Sequence, residues 1–194
     1  MPPPRFLVSH FVILLYLIGY IFALGPLGVR FNEQLALHPK IQKMVWMTVI
    51  EFEQETDKSF LSDQHLAGLV KDAFNELRAD YKNTPWTGSG IIKPPEIKAP
   101  TMMVAITRGK RVYFASSSRS LGPDKVGFAY STRMVPPPVQ VALYECMVSD
   151  KNAETHKSDS NCGEPTAAML AFNDMSEGGN TLPGSRVRFC SLML

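Results

Sequence analysis

The stretch PTMMVAITRGKRVYFASSS, residues 100–118, decides the fold. Thr101 to Thr107 is short, apolar and rich in β-branched residues, and Arg111 to Ser117 alternates between apolar and polar positions. Arg108-Gly109-Lys110 separates the two runs, and a short connection that contains glycine is typical of a hairpin turn. The stretch therefore predicts two antiparallel strands.

An amphipathic helix precedes this hairpin, over about residues 62–81. Ser62 can cap its start, with Leu61 and Leu66 as a hydrophobic staple. Apolar residues recur at the spacing of one helix face, at Leu66, Leu69, Val70, Ala73, Phe74 and Leu77. Residues 83–100, rich in Pro, Gly and Thr, predict the connecting loop.

Further elements follow the hairpin. Residues 118–138 predict a loop, Val139–Met147 a short helix, Glu164–Asn173 a second helix, and Arg186–Leu192 a final strand. The order helix, strand, strand, helix, strand predicts an α/β domain over residues 59–194. The final strand requires a partner strand, and its outer edge would be open.

Residues 31–58 form a mixed segment. Ile41, Met44, Val45, Thr48, Val49 and Phe52 recur at roughly helical spacing. An acidic stretch, Glu51 to Asp57, follows them. This pattern predicts a helix and then a solvated linker.

The amino-terminal segment is apolar. From Phe6 to Val29 there are 24 residues without Asp, Glu, Lys or Arg, and Arg5 and Arg30 bracket them. A bilayer core about 30 Å thick needs about 20 mostly apolar residues in a helix. Residues 6–29 therefore predict contact with a membrane.

Residues 1–30 have two interpretations. Ala23-Leu24-Gly25 has the small residues of a signal-peptide cleavage site, which would make the protein secreted. Pro26 follows directly and disfavours cleavage, so we expect a retained transmembrane anchor and a membrane location. Arg5 on one side and Arg30 with nearby lysines on the other leave the orientation open.

Composition excludes two classes of protein. The net charge of +2 gives no electrostatic signature of nucleic-acid binding. Three cysteines, Cys146, Cys162 and Cys190, are too few for a disulfide framework, although one bridge is possible in an oxidising compartment.

The candidate metal-binding and acid/base residues lie in the sequence Asn161-Cys162-Gly163-Glu164-Pro165, at the start of the helix predicted over Glu164–Asn173. A thiolate at a helix start is favoured by the free backbone N–H groups and can face a metal ion. Glu164 could then move a proton between a metal-bound water and a substrate nitrogen. The simpler interpretation is structural, because Asn161 and Glu164 have the spacing of a capping box.

The C-G-E helix start and the hairpin together resemble the zinc-dependent cytidine-deaminase-like superfamily, and within it the divergent domains of microbial toxins and secreted fungal proteins. The resemblance covers roughly residues 60–192 and implies a three-layer α/β/α domain. It implies that Cys162 is a zinc ligand and that Glu164 shuttles protons while a zinc-bound water removes an exocyclic amine.

One part of the family pattern has no counterpart. The family's second motif is P-C-x-x-C on a later helix, and the chain contains no C-x-x-C. A zinc site needs at least three protein ligands, so the resemblance implies a truncated or degenerate domain with an incomplete zinc site, inactive as it stands. The alternative is a non-enzymatic secreted or membrane-anchored interaction protein.

Overall fold

The computed structural model describes residues 25–38, 41–84, 98–121, 137, 139–141, 162–178 and 188–193. These residues form a mixed α/β fold with antiparallel strands. The strands are β1 Arg30–Phe31, β2 Lys43–Met44, β3 Trp46–Glu51, β4 Met102–Arg108, β5 Arg111–Ser116, β6 Arg119–Ser120 and β7 Arg188–Met193. The helices are α1 Glu33–Leu37, α2 Asp63–Asn83 and α3 Gly163–Gly178.

The predicted hairpin is confirmed as β4 and β5. Gly109 in its turn has φ of +57°, a conformation that favours glycine. The larger sheet has the order β1-β3-β5-β4-β7, and β2 pairs with β6 in a second, two-stranded sheet. The predicted final strand is also confirmed, since β7 pairs with β4 and ends the sheet order.

The two long helices contact alternate residues of the hairpin. The α2 side of the core contains Met103, Ala105, Val112 and Phe114. Packed with α3 are Val104, Ile106, Tyr113 and Ala115. Because alternate side chains of a strand point to opposite faces, α2 and α3 cover opposite faces of the hairpin.

The amphipathic helix predicted over about residues 62–81 is confirmed as α2. The side chain of Ser62 accepts a hydrogen bond from the backbone N–H of His65, as an N-cap does. Leu61 and Leu66 are both buried in the core that α2 shares with the hairpin. The second long helix is confirmed as α3, which begins one residue earlier and ends five residues later than predicted.

The predicted helix over Ile41–Phe52 is wrong, because this part of the chain contains β2 and β3. Residues Met47 to Glu51 of β3 pair with Arg111 to Ala115 of β5. Thr48, Val49 and Ile50 are β-branched and suit a strand once this ladder is available. The only helix described between residues 31 and 58 is the five-residue α1, which ends before Ile41.

The following acidic stretch is not a solvated linker throughout. The backbone N–H groups of Phe52 and Thr56 donate to the carbonyl oxygens of Lys110 and Gly109, both at 2.8 Å. Thr56 is buried. The stretch therefore folds back onto the hairpin turn.

The carboxyl end of the apolar run belongs to the folded domain. Leu27 and Val29 are buried in the same core as α2. Their backbone N–H groups donate to the carboxylate of Glu76, at 2.5 Å and 3.0 Å respectively. The remaining apolar residues, Phe6–Leu24, lie outside the described residues.

Among the helices of the described ranges, none combines the length and the apolar character of a membrane span. The predicted helix over Val139–Met147 also lies largely outside the described residues. Its start is described: residues 139–141 are helical and Val139 is buried.

We predict that Glu76→Ala lowers the free energy of unfolding by about 1.5–3 kcal/mol, the usual range for hydrogen bonds to a charged group. The variant leaves the N–H groups of Leu27 and Val29 without their acceptor. Urea unfolding of the full chain in mild detergent, followed by tryptophan fluorescence, measures the change. Asn75→Ala, at an exposed neighbouring position, is the control, and equal losses in both variants would contradict the prediction.

Candidate functional site

The start of α3 lies directly on the hairpin. A Cβ atom added to Gly163 would lie 2.8 Å from the carbonyl oxygen of Ala115 and 2.8 Å from a methyl carbon of Val104. Such distances are too short for a real Cβ, so glycine is what allows the helix to approach this closely. The contact fixes where the flanking Cys162 and Glu164 lie relative to the sheet.

Cys162 immediately precedes α3 and is half-buried. It packs against the core that α3 shares with the hairpin, and it is not part of a disulfide. The predicted ligand therefore lies at a helix start, where the positive end of the helix dipole favours a thiolate.

Glu164 lies in the first turn of α3. Its Oε2 atom is buried and makes no hydrogen bond. Most buried polar atoms in proteins have a partner, and one without a partner lowers the stability of the fold. A helix-capping role does not explain this oxygen.

Two further hydroxyl groups near the start of α3 are also buried without a hydrogen bond. Thr166 is fully buried and the Ser117 side chain is almost so, and neither hydroxyl makes a hydrogen bond. Thr166 is three residues after Gly163, and Ser117 is two residues after Ala115, which Gly163 contacts. Among the described residues, five buried side-chain polar atoms make no hydrogen bond. Three of them belong to Ser117, Glu164 and Thr166, and the other two are Oγ1 of Thr107 and Nε of Arg119.

The described donor atoms do not fit a zinc ion. Within the ranges that the structure describes, no three side chains of His, Cys, Asp or Glu come together as a metal-binding group. Cys190 lies in β7, in register with Ala105 of β4. Cys146 and the predicted capping residue Asn161 lie outside the described residues.

At the other end of α3, polar groups are hydrogen-bonded to side chains of the hairpin. The Asp174 carboxylate accepts a hydrogen bond from the Tyr113 hydroxyl at 2.6 Å and from Nη1 of Arg111 at 2.5 Å. Nη1 of Arg108 donates to the carbonyl oxygen of Ala171 at 3.0 Å. Side chains of the hairpin therefore hold the second half of the helix.

This network changes the acidity of its members. The hydrogen bonds from Tyr113 and Arg111 hold the pKa of Asp174 below its ordinary value. Burial, reinforced by the hydrogen bond to Asp174, raises the pKa of Tyr113 to about 12. Asp174 is therefore ionised and Tyr113 is protonated at neutral pH.

An open cleft lies beside this end of α3. Its volume is about 380 Å³, and its walls are Val49, Glu51, Arg111, Leu170, Asn173 and Asp174. Val49 is 43% exposed there. Asp174 is ten residues after Glu164, about 15 Å along a helix, so the cleft and the C-G-E turn are separate places.

Sequence reasoning located Cys162 and Glu164 but missed the residues around them. The signal for Gly163 was its position between the two candidate site residues, because glycine disfavours a helix unless a close contact requires it. The pairing of Asp174 with Tyr113 joins residues that are 61 positions apart, and no local pattern indicates it.

Comparison of the chain with protein-family models, with curated proteins and with solved structures found no match.

We predict that Gly163→Ala lowers the free energy of unfolding by about 1–3 kcal/mol, the usual cost of overpacking. One of the two atoms that the new methyl group meets belongs to the backbone, so α3 must shift. Gly68→Ala is the matched control, because Gly68 is exposed in α2 with nothing within 4 Å of an added Cβ. The control should be neutral or stabilising by up to about 1 kcal/mol. Thermal unfolding compares them, and a harmless Gly163→Ala would contradict the close contact.

We predict that Asp174→Asn destabilises the protein by about 1–2 kcal/mol at pH 7, mostly through the Tyr113 bond. Arg111 is 40% exposed, so solvent screens its ion pair with Asp174. A carboxylate whose pKa is lowered by folding contributes stability above its unfolded value of about 3.9, and this contribution is lost as the pH falls through the folded value.

The difference in stability between Asp174→Asn and the natural protein should therefore be constant from pH 7 to about pH 5 and shrink below about pH 4. Urea unfolding across this pH range measures it. Asp72→Asn, at an exposed position of α2, is the control. A difference that does not change with pH would contradict the role given to the ionised carboxylate.

Proposed function

We propose that this chain is a membrane-anchored, deaminase-like protein with an incomplete zinc site, which binds a ligand without hydrolysing it. The observation that carries the proposal is the close contact of Gly163 with Ala115 and Val104. It fixes the C-G-E turn at the end of a hairpin strand, beside buried polar atoms that have no partner.

The fold supports the resemblance on which the proposal depends. The chain order α2, β4, β5, α3, β7 is the order that the deaminase-like core implies. The two helices contact opposite faces of the hairpin, as expected of a three-layer α/β/α domain. These features support a deaminase-like architecture and say nothing about a reaction.

The donor atoms support binding rather than turnover. The chain contains no C-x-x-C to supply the remaining zinc ligands of the family pattern, and hydrolysis by a zinc-activated water requires at least three protein ligands. Glu164 keeps a buried carboxylate oxygen that accepts no hydrogen bond. We therefore assign Glu164 the role of an acceptor for N–H or O–H groups of a ligand.

A second candidate is an interaction protein that acts through its surface. The cleft beside Asp174 favours it, because Val49 and Leu170 give it apolar walls and Glu51 and Arg111 give it charged ones. In this case the C-G-E turn would have a structural role alone.

Metal analysis tests the proposal. The full chain is purified in detergent, incubated with zinc, dialysed and measured by atomic emission. We expect less than one bound zinc per chain, with no change on Cys162→Ala. One zinc per chain that Cys162→Ala removes, and that Cys146→Ala leaves in place, would overturn the zinc-deficient assignment in favour of a hydrolase.

A stability measurement separates a binding role from a capping role for Glu164. We predict that Glu164→Gln leaves the free energy of unfolding unchanged or raises it, because a buried charged oxygen without a partner is replaced by a neutral amide. Asp63→Asn, in the first turn of α2 and in an ion pair with Lys58, is the matched control and should be slightly destabilising. A larger loss for Glu164→Gln than for the control would favour the capping box.

A further inference from the structure

We infer that the β1 edge of the larger sheet lies against the lipid headgroups of the bilayer. The inference rests on the membrane anchor of the proposed function and adds to it the face of the domain that meets the membrane. The partner surface is the phosphate-bearing headgroup layer.

The chain is bound tightly to the domain at the point where it enters it. Leu27 is 8% exposed and Val29 is fully buried. Glu76 accepts both of their N–H groups, and the Thr48 hydroxyl donates to the carbonyl oxygen of Leu27 at 2.9 Å. These contacts fix the position of Leu27 relative to the folded domain.

The length of the chain before Leu27 limits how far the domain can lie from the bilayer. Phe6–Leu24 contains 19 residues, which in a helix span about 28 Å, close to the hydrocarbon thickness of about 30 Å. From Leu24 to Leu27 the chain reaches at most about 10 Å, whereas each headgroup layer is about 5–7 Å thick. Leu27 is therefore held within a few ångströms of the headgroups, and the surrounding domain surface must contact them.

The domain surface next to Leu27 is the β1 edge of the larger sheet. Leu27 and Val29 lead directly into β1, which ends the sheet order on this side. Arg30, the first residue of β1, is exposed, and its Nη1 atom donates to the carbonyl oxygen of Val29 at 3.0 Å. A guanidinium group at this edge suits a layer of phosphates.

Depth-dependent fluorescence quenching tests the placement. The full chain with Cys146→Ser, Cys162→Ser and Cys190→Ser is reconstituted in phosphatidylcholine vesicles that carry a headgroup quencher. A cationic fluorophore, which keeps a positive charge at the site, is attached through Arg30→Cys or, as the matched control, through Thr101→Cys. Thr101 is exposed and precedes β4, three strand spacings or about 14 Å from β1. We expect strong quenching at position 30 and weak quenching at position 101.

A linker variant keeps the test independent of the labelled positions. Twelve Gly/Ser residues inserted between Gly25 and Pro26 extend the tether by about 19 Å and should abolish the quenching at position 30. Equal quenching at both positions, or weak quenching at position 30, would overturn the inference while the anchor stands. Strong quenching at position 30 that survives the linker would support the contact and show that the edge binds headgroups without the short tether. Protein that alkaline carbonate extracts from the vesicles would overturn the anchor and this inference together.

Discussion

Strand β4 is hydrogen-bonded to β5 on one side and to β7 on the other, and helices cover both of its faces. Its residues from Met102 to Thr107 are all buried. A strand with this environment has to be apolar on both faces, which the sequence MMVAIT satisfies. The other strands of the larger sheet are connected to β4 by pairing. Strands β5 and β7 pair with β4 directly, β3 pairs with β5, and β1 pairs with β3.

The parts of the fold that depend on local sequence could be predicted. The Gly109 turn, the Ser62 cap and the apolar face of α2 are signals within a few residues of the structure they produce. Strand β3 was predicted as a helix because it depends on β5, whose paired residues lie 60 to 68 positions later in the chain. Its apolar residues allow either structure, and pairing decides between them.

The candidate site shows the same division. Cys162 and Glu164 are neighbours in sequence, so their joint placement at a helix start could be predicted. The burial of Thr166 and Ser117 without hydrogen-bond partners depends on how closely α3 approaches the sheet, which no spacing indicates. At one end of α3, Asp174 is hydrogen-bonded to Tyr113 and Arg111. At the start of the same helix, Glu164 and Thr166 keep buried polar atoms that make no hydrogen bond.

The carboxylate of Glu76 also has a mechanical consequence. Any pulling force that reaches the domain through its amino-terminal segment arrives first at the N–H groups of Leu27 and Val29, which Glu76 holds. Only after these bonds yield does the force reach the two-residue ladder between β1 and β3. The hydrogen bonds to Glu76 and the β1–β3 ladder would have to break before the force reached the central strands. Tension would therefore detach the β1 edge of the sheet before it disturbed the hairpin and the start of α3.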